Sequence, residues 1–154
     1  RKRVLKRLSA APSAMADNVV GLLARRVVGT LERAGADASL APHAKALQEW
    51  LPAIQQAVAA AATREGSEVA LANAYLLLDA LGHFLVAWLW LEQALVARRE
   101  LARDGVPESK RALLDGKLEA ARYFIVWELP TKRASLALFT AQDRTVLEAN
   151  PANW

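Results

Sequence analysis

Residues 72–97 read ANAYLLLDALGHFLVAWLWLEQALVA, and the fold class follows from this run. Apolar residues recur at helical rather than alternating spacing, so the pattern predicts a long helix from about Ser67 to Arg103. At about 1.5 Å per residue such a helix would span roughly 55 Å if straight. Gly82 sits near its middle and marks a bend or a close backbone contact. Trp88 and Trp90 are two positions apart and point about 200° apart around the axis. Both cannot lie on one narrow apolar stripe, so the helix is expected to be covered on more than one side, as a central core helix would be. Asp79, His83 and Glu92 interrupt the apolar run. The longest stretch free of formal charge, Ala80–Leu91, falls short of the roughly 20 residues that a membrane span requires.

Working outward, Gly116–Pro130 reads GKLEAARYFIVWELP, the second half of a helix expected over Glu108–Leu129. Leu114, Leu118, Ala121, Ile125 and Leu129 form its inner stripe, with Phe124 and Trp127 widening it. Arg111, Asp115, Glu119 and Arg122 fall where surface pairs form. Pro130 either ends this helix or opens the next, Thr131–Thr140. Towards the N-terminus, Ser13 can cap a helix running to about Ala34, with Val19, Leu22, Leu23, Val27 and Leu31 at helical spacing and Gly35 as its stop. A loop over Ala34–Ser39 leads to a helix from about Pro42 to Thr63, which Pro52 should split near Glu49–Leu51. The alanines of Ala57–Ala62 give that helix a slim surface. The tail, 143–154, has weak periodicity and an Asn150-Pro151 turn signal, so it should wrap along the surface. The expected architecture is an all-α antiparallel bundle of about four to five helices around a long central one. It divides into a basic lead-in (1–12), the bundle (13–142) and the tail.

Composition supports this. The chain has 154 residues, 54% of them hydrophobic, and no cysteine. That length allows one domain with a real core. Without cysteine there is no disulfide, no thiolate metal site and no thiol nucleophile, and the composition fits a reducing cytoplasm. No signal-peptide pattern opens the sequence. Twenty basic residues against 16 acidic give +4. Residues 1–7, RKRVLKR, supply five of the basic ones and no acid, so the remainder carries 15 against 16, or −1. A basic cluster of this kind can meet nucleic acid or anionic lipid. No aromatic or glycine-rich interleaving accompanies it, and the plainer reading is a solvated helix end. RKRVLKR also reads as a cut through an element rather than a start, which predicts a preceding segment.

Chemistry-bearing constellations are sparse. Asp79 and His83, four apart, share a helix face and could hydrogen-bond or offer two ligands to a metal. A metal needs more ligands, and no Glu-x-x-His pair of the di-iron type is present; a core histidine oriented by a carboxylate is the simpler reading. Tyr75, one turn earlier, would extend that polar stripe. His43 has no evident partner and should be exposed. Ser67, His83 and Asp79 make a triad on paper, without any nucleophile-elbow pattern. Trp88, Trp90, Tyr123, Phe124 and Trp127 invite a flavin- or adenine-stacking reading. Core or interface packing is the default for such large apolar side chains.

The two quoted stretches together resemble the C-terminal helical extension of the larger acyl-CoA dehydrogenase-like flavoenzymes, a group that includes 3-methylmercaptopropionyl-CoA dehydrogenase-like enzymes. The resembling parts are Tyr75-Leu76, Gly82-His83, WLWLEQA at Trp88–Ala94, Lys117, RYF at Arg122–Phe124 and Leu129-Pro130. The resemblance covers about Ala72–Pro130, while the first two helices agree in pattern. It implies a parent enzyme that oxidises an acyl-CoA thioester at its α,β carbons, with a glutamate taking the α proton and FAD accepting the β hydride. In the family that glutamate lies upstream, in a tyrosine-glutamate-glycine motif absent here. No residue of this chain inherits the role of base, and no cofactor-binding residue is assigned. Lys117, Tyr123, Phe124 and Trp127 are therefore expected to serve packing and interface.

The resemblance thus implies a structural or interface domain, with the upstream core and a homo-oligomer as partners and acyl-CoA reached only through the parent. The alternatives are a free-standing helical interaction module or nucleic-acid binding through Arg1, Lys2, Arg3, Lys6 and Arg7.

Overall fold

A computed structural model describes residues 13–61, 66–149 and 152. The described residues form eight α-helices, here α1 (Ser13–Gly35), α2 (Ala41–Gln48), α3 (Leu51–Ala61), α4 (Gly66–Ala72), α5 (Ala74–Leu101), α6 (Glu108–Tyr123), α7 (Arg133–Thr140) and α8 (Thr145–Glu148). A π-helical turn, Phe124–Glu128, and a 3-10 turn, Leu129–Lys132, join α6 to α7. No strand occurs among the described residues. The chain is all-α. The basic residues 1–7 and the Asn150-Pro151 turn signal lie outside the described residues.

α5 is the axis of the fold. Ala80, Phe84, Ala87, Leu91 and Ala94 point into the core at steps of three and four, the spacing of a single helical face. Contacts 30 to 88, 33 to 92 and 37 to 98 show α1 running parallel to α5 along one flank. Contacts 100 to 110, 93 to 117 and 79 to 132 show the chain returning antiparallel along the other flank. Trp88 faces α1 and Trp90 faces α6, so the 200° separation of the two indoles does report two covered flanks. The outward face of α5 is different: Tyr75, Leu78, Val86, Leu89 and Val96 are exposed. The helix is therefore central in topology and buried on only part of its circumference.

Its predicted course needs two corrections. It does not run unbroken from Ser67: Asn73, at φ −101 and ψ 10, still donates its N–H to the Val69 carbonyl, but its own carbonyl accepts from Leu76 N–H, three residues on, and the helix breaks there. Asn73 is buried, and its amide donates to the Asp143 carbonyl at 2.6 Å. That hydrogen bond ties the start of the tail to the α4–α5 corner. Gly82 makes no close backbone contact within the described residues. α5 continues through it, and a Cβ there would meet nothing within 4 Å. A glycine inside a helix costs about 0.5–1 kcal/mol relative to alanine, and nothing within the described chain requires it.

The split at Pro52 occurs where the sequence placed it, with α2 ending at Gln48 and α3 starting at Leu51. The break drops Trp50 into the core, 2% exposed, with the Arg133 guanidinium 4.6 Å from its ring centroid. In α1, Val27, Thr30, Leu31 and Ala34 are buried, whereas Leu22 is 52% exposed and leaves the predicted stripe. Leu22 lies about 140° from Val27 around the axis, on the solvent side.

The α6 helix also ends differently from expectation. It widens into the π turn, with Leu129 N–H donating to the Phe124 carbonyl, one turn-register longer than an α bond. Pro130 has no N–H to continue the ladder, and the wide turn loosens the register just before it. Ile125 and Leu129 stay buried, while Tyr123, Val126 and Trp127 turn to solvent. Trp127 is 67% exposed and does not widen the inner stripe; it sits about 200° from Ile125, the opposite side of any helix.

Candidate functional site

Asp79 and His83 do meet. His83 Nδ1 lies 3.3 Å from Asp79 Oδ1 and 2.8 Å from the Asp79 backbone carbonyl, a geometry in which Nδ1 carries the proton and donates. The ring stacks on Phe124 at a centroid distance of 6.0 Å and an interplanar angle of 20°. A third member went unseen in the sequence: Lys132 Nζ sits 3.1 Å from Asp79 Oδ2. The carboxylate is thus held from both sides, which clamps the 3-10 turn to α5. Lys132 lies 53 positions along the chain from Asp79, and no local spacing signals the pairing. Tyr75 does not extend the polar stripe; it is 75% exposed and makes no hydrogen bond among the described residues. Ser67 has no described side chain, so the paper triad has no described nucleophile. Among the described residues no three His, Cys, Asp or Glu side chains cluster as metal ligands.

His43 is half-buried rather than exposed, and its Nδ1 is buried without a partner. Burial pushes its pKa below the usual histidine value, and the Arg122 charge acts in the same direction, against an opposing backbone contact at Ser39. His43 therefore stays neutral at pH 7, an uncharged wedge of α2 rather than a catalytic acid.

The second polar centre joins α1 to α5. Thr30 is fully buried and its hydroxyl accepts from Trp88 Nε1 at 2.8 Å. The same hydroxyl is within donating reach of Glu92 Oε1 and of the Arg26 carbonyl. Glu92 Oε1 also receives Arg33 Nη2 at 2.5 Å. An open groove of about 510 Å³ runs past this centre, bordered by Arg25, Arg26, Arg33, Trp88, Leu89 and Glu92. Glu92, the one carboxylate lining it among the described residues, is already committed to a threonine and an arginine. The sequence reading missed Thr30, although its position three after Val27 places it on the inner face of α1.

The aromatic and basic residues singled out from the sequence divide into two groups. Trp88, Trp90 and Phe124 pack against the core cluster. Lys117 lies 5.1 Å over the Trp90 ring and donates to Gln93 at 2.9 Å, so it caps an indole and joins α6 to α5. Tyr123, Val126 and Trp127 instead stand in solvent side by side along the turn that follows α6. Tyr123 donates to Glu128 at 2.7 Å, and this hydrogen bond raises its pKa. A tyrosine and a tryptophan, held by helical backbone and largely uncovered, form a surface suited to docking rather than to a reaction.

The family described as Acetyl-CoA dehydrogenase C-terminal like matches residues 23–150. The chain belongs to this family. The match takes in α2 to α8, both polar centres and the exposed Tyr123–Trp127 turn. No curated protein matches the chain significantly. The C-terminal-like domain is thus an all-helical unit whose polar groups, at the positions described above, are spent on joining helices to one another.

Proposed function

We propose that this chain is the structural C-terminal domain of an FAD-dependent acyl-CoA dehydrogenase-like enzyme of the cytoplasm. In this reading the domain packs on the catalytic core and borders its acyl-CoA cleft or subunit interface. The WLWLEQA and RYF segments favour a parent similar to the 3-methylmercaptopropionyl-CoA dehydrogenase-like group. The core supplies the flavin and the glutamate that takes the α proton. This chain supplies shape and a docking surface.

The observation that carries the reading is the exposed trio Tyr123, Val126 and Trp127 on a domain of this family. Aromatic side chains of this kind dominate interface energetics when a partner covers them, and truncating one at a hot spot costs about 2 kcal/mol or more, roughly 30-fold in affinity. The turn that presents them is anchored beneath by buried Ile125 and Leu129, so little order has to be imposed on binding.

The test is association of this chain with the separately expressed flavin-loaded core, measured by calorimetry. Trp127→Ala and Tyr123→Ala should each weaken association by about ten-fold or more. Absence of association would overturn the reading, as would FAD-dependent oxidation of acyl-CoA by this chain alone.

A further inference from the structure

Along their shared outer edge α1 and α5 leave a continuous trough. The groove beside Trp88 runs on into a hollow of about 470 Å³ bordered by Arg33, Glu92, Leu95, Val96 and Arg99. A third hollow, with Arg33, Leu95, Arg98 and Arg99 on its walls, continues it towards Ala102. On α1, Arg26, Gly29, Arg33 and Ala36 follow one another at steps of three and four, one face over about 15 Å. Gly29 opens the trough onto helix backbone, since a Cβ there would meet nothing within 4 Å. Leu22, Leu89 and Val96, each about half exposed, give it an apolar rim. The acids on its walls are already paired, Glu92 with Arg33 and Asp37 with Arg98. Arg25, Arg26 and Arg99 make no ion pair or side-chain hydrogen bond among the described residues. The trough is therefore cationic along its whole length.

We propose that this trough docks an acidic amphipathic helix of a partner protein, with its apolar stripe on Leu89 and Val96 and its carboxylates on Arg25, Arg26 and Arg99. Charge complementarity selects this occupant. Unpaired guanidinium groups seek carboxylates, which they hold through paired N–H donors. The chain's own basic segment, 1–7, has the wrong sign to fill the trough, and a second copy would set like arginines face to face. A single small anion leaves the apolar rim uncovered. It also cannot bridge Arg26 and Arg99: the 33–92 and 37–98 contacts place them at opposite ends of the trough, about 15 Å apart along the helix pair. A helix of about ten to twelve residues spans that distance and repeats apolar and acidic groups at i, i+3, i+4 and i+7. Glycine weakens a helix but lets another backbone come close, so a docked helix gives Gly29 a purpose that the isolated chain lacks. The inference goes beyond the proposed function. It concerns the flank of α5 opposite α6 and does not depend on the Tyr123–Trp127 surface.

The test titrates the full chain with a fluorescein-labelled helical peptide, leucine at alternating steps of three and four with glutamate between, and reads fluorescence anisotropy. Binding should saturate and should weaken steeply from low to physiological salt. Arg26→Glu and Arg99→Glu should each raise the dissociation constant about ten-fold or more. Both side chains are exposed and unpaired, so helical circular dichroism and Tm should hold. Gly29→Ala should raise Tm while weakening the peptide, and Gly29→Leu should weaken it further. A purely structural glycine would not separate those two readouts. Absence of saturable binding would overturn the proposal. So would equal affinity for the same peptide with lysine in place of glutamate, or affinity that the arginine variants leave unchanged. Displacement of the peptide by equimolar inorganic pyrophosphate, or recruitment of the chain to phosphatidylglycerol vesicles through the same arginines, would assign the trough to a phosphate ligand or a lipid surface and equally overturn it. Self-association that Arg26→Glu abolishes would do the same in favour of a second copy. Trp127→Ala leaves these readouts unchanged, so this inference and the proposed function fail separately.

Discussion

Replacing Thr30 with valine removes one hydroxyl and almost no volume, yet it should measurably loosen the contact between α1 and α5. Thr30 is fully buried, and its oxygen is the acceptor for Trp88 Nε1 at 2.8 Å. In Thr30→Val the indole N–H faces a methyl group, and Glu92 keeps Arg33 but loses its buried donor. An unsatisfied buried polar group costs about 1–3 kcal/mol. The open groove beside Trp88 lets water recover part of that, so the expected loss is about 2 kcal/mol. For a domain of this size that corresponds to roughly 4–8 °C in Tm. Thr30→Ser keeps the hydroxyl and drops one methyl, so it should lose only about 1 kcal/mol. Chemical denaturation of both variants, with Trp88→Phe and the Thr30→Val/Trp88→Phe pair, completes a double-mutant cycle. A coupling of about 1 kcal/mol between the two sites is expected. If Thr30→Val matches the unmodified chain within about 0.5 kcal/mol and Thr30→Ser is the less stable variant, the methyl rather than the hydroxyl holds the site and the reasoning fails.

Two pH responses follow from titrating groups. His43 is neutral and its pKa is depressed by burial, so the unfolded chain takes up a proton there before the folded one does. Stability should be full above the ordinary histidine value of 6.5 and fall as pH drops below it, down to the folded pKa; His43→Gln should flatten this slope between pH 7 and 5 in thermal melts. Asp37 is lowered from 3.8 to about 2, chiefly by the Ser39 hydroxyl and then by Arg98. Its stabilisation is present above about pH 4 and lost as pH falls towards about 2. The shift sets an upper bound of about 2.5 kcal/mol, and solvent screening brings the expected loss to about 1 kcal/mol. Asp37→Asn should remove that acid-limb loss in denaturant titrations run between pH 4 and 2.

The fold was legible because its signals are local. Helical spacing and the Pro42 and Pro52 pair each act within a few residues. The failures have physical reasons of two kinds. At the break in the long helix Asn73 donates to the Asp143 carbonyl, and Lys132 reaches back to Asp79; neither partner is visible to a local window. Trp127 was placed on the inner stripe because it is large and apolar, although its angular position opposite Ile125 already directed it outward. The open face of α5 was read as core for a similar reason: its residues are apolar on every side, and sequence periodicity cannot say which side a partner covers. The candidate polar sites were half visible. Asp79 and His83 announce themselves at i,i+4, whereas Thr30, Glu92 and Arg33 come together only when α1 lies along α5.

If the Tyr123–Trp127 segment docks on a catalytic core, Trp127 must lose exposure when that core is present. Hydroxyl-radical footprinting of Trp127 tests this most directly, comparing this chain alone with the same residues attached to their core. Trp127, 67% exposed here, should be oxidised readily in the isolated chain and protected when the core is present. Equal reactivity in the two states would contradict it.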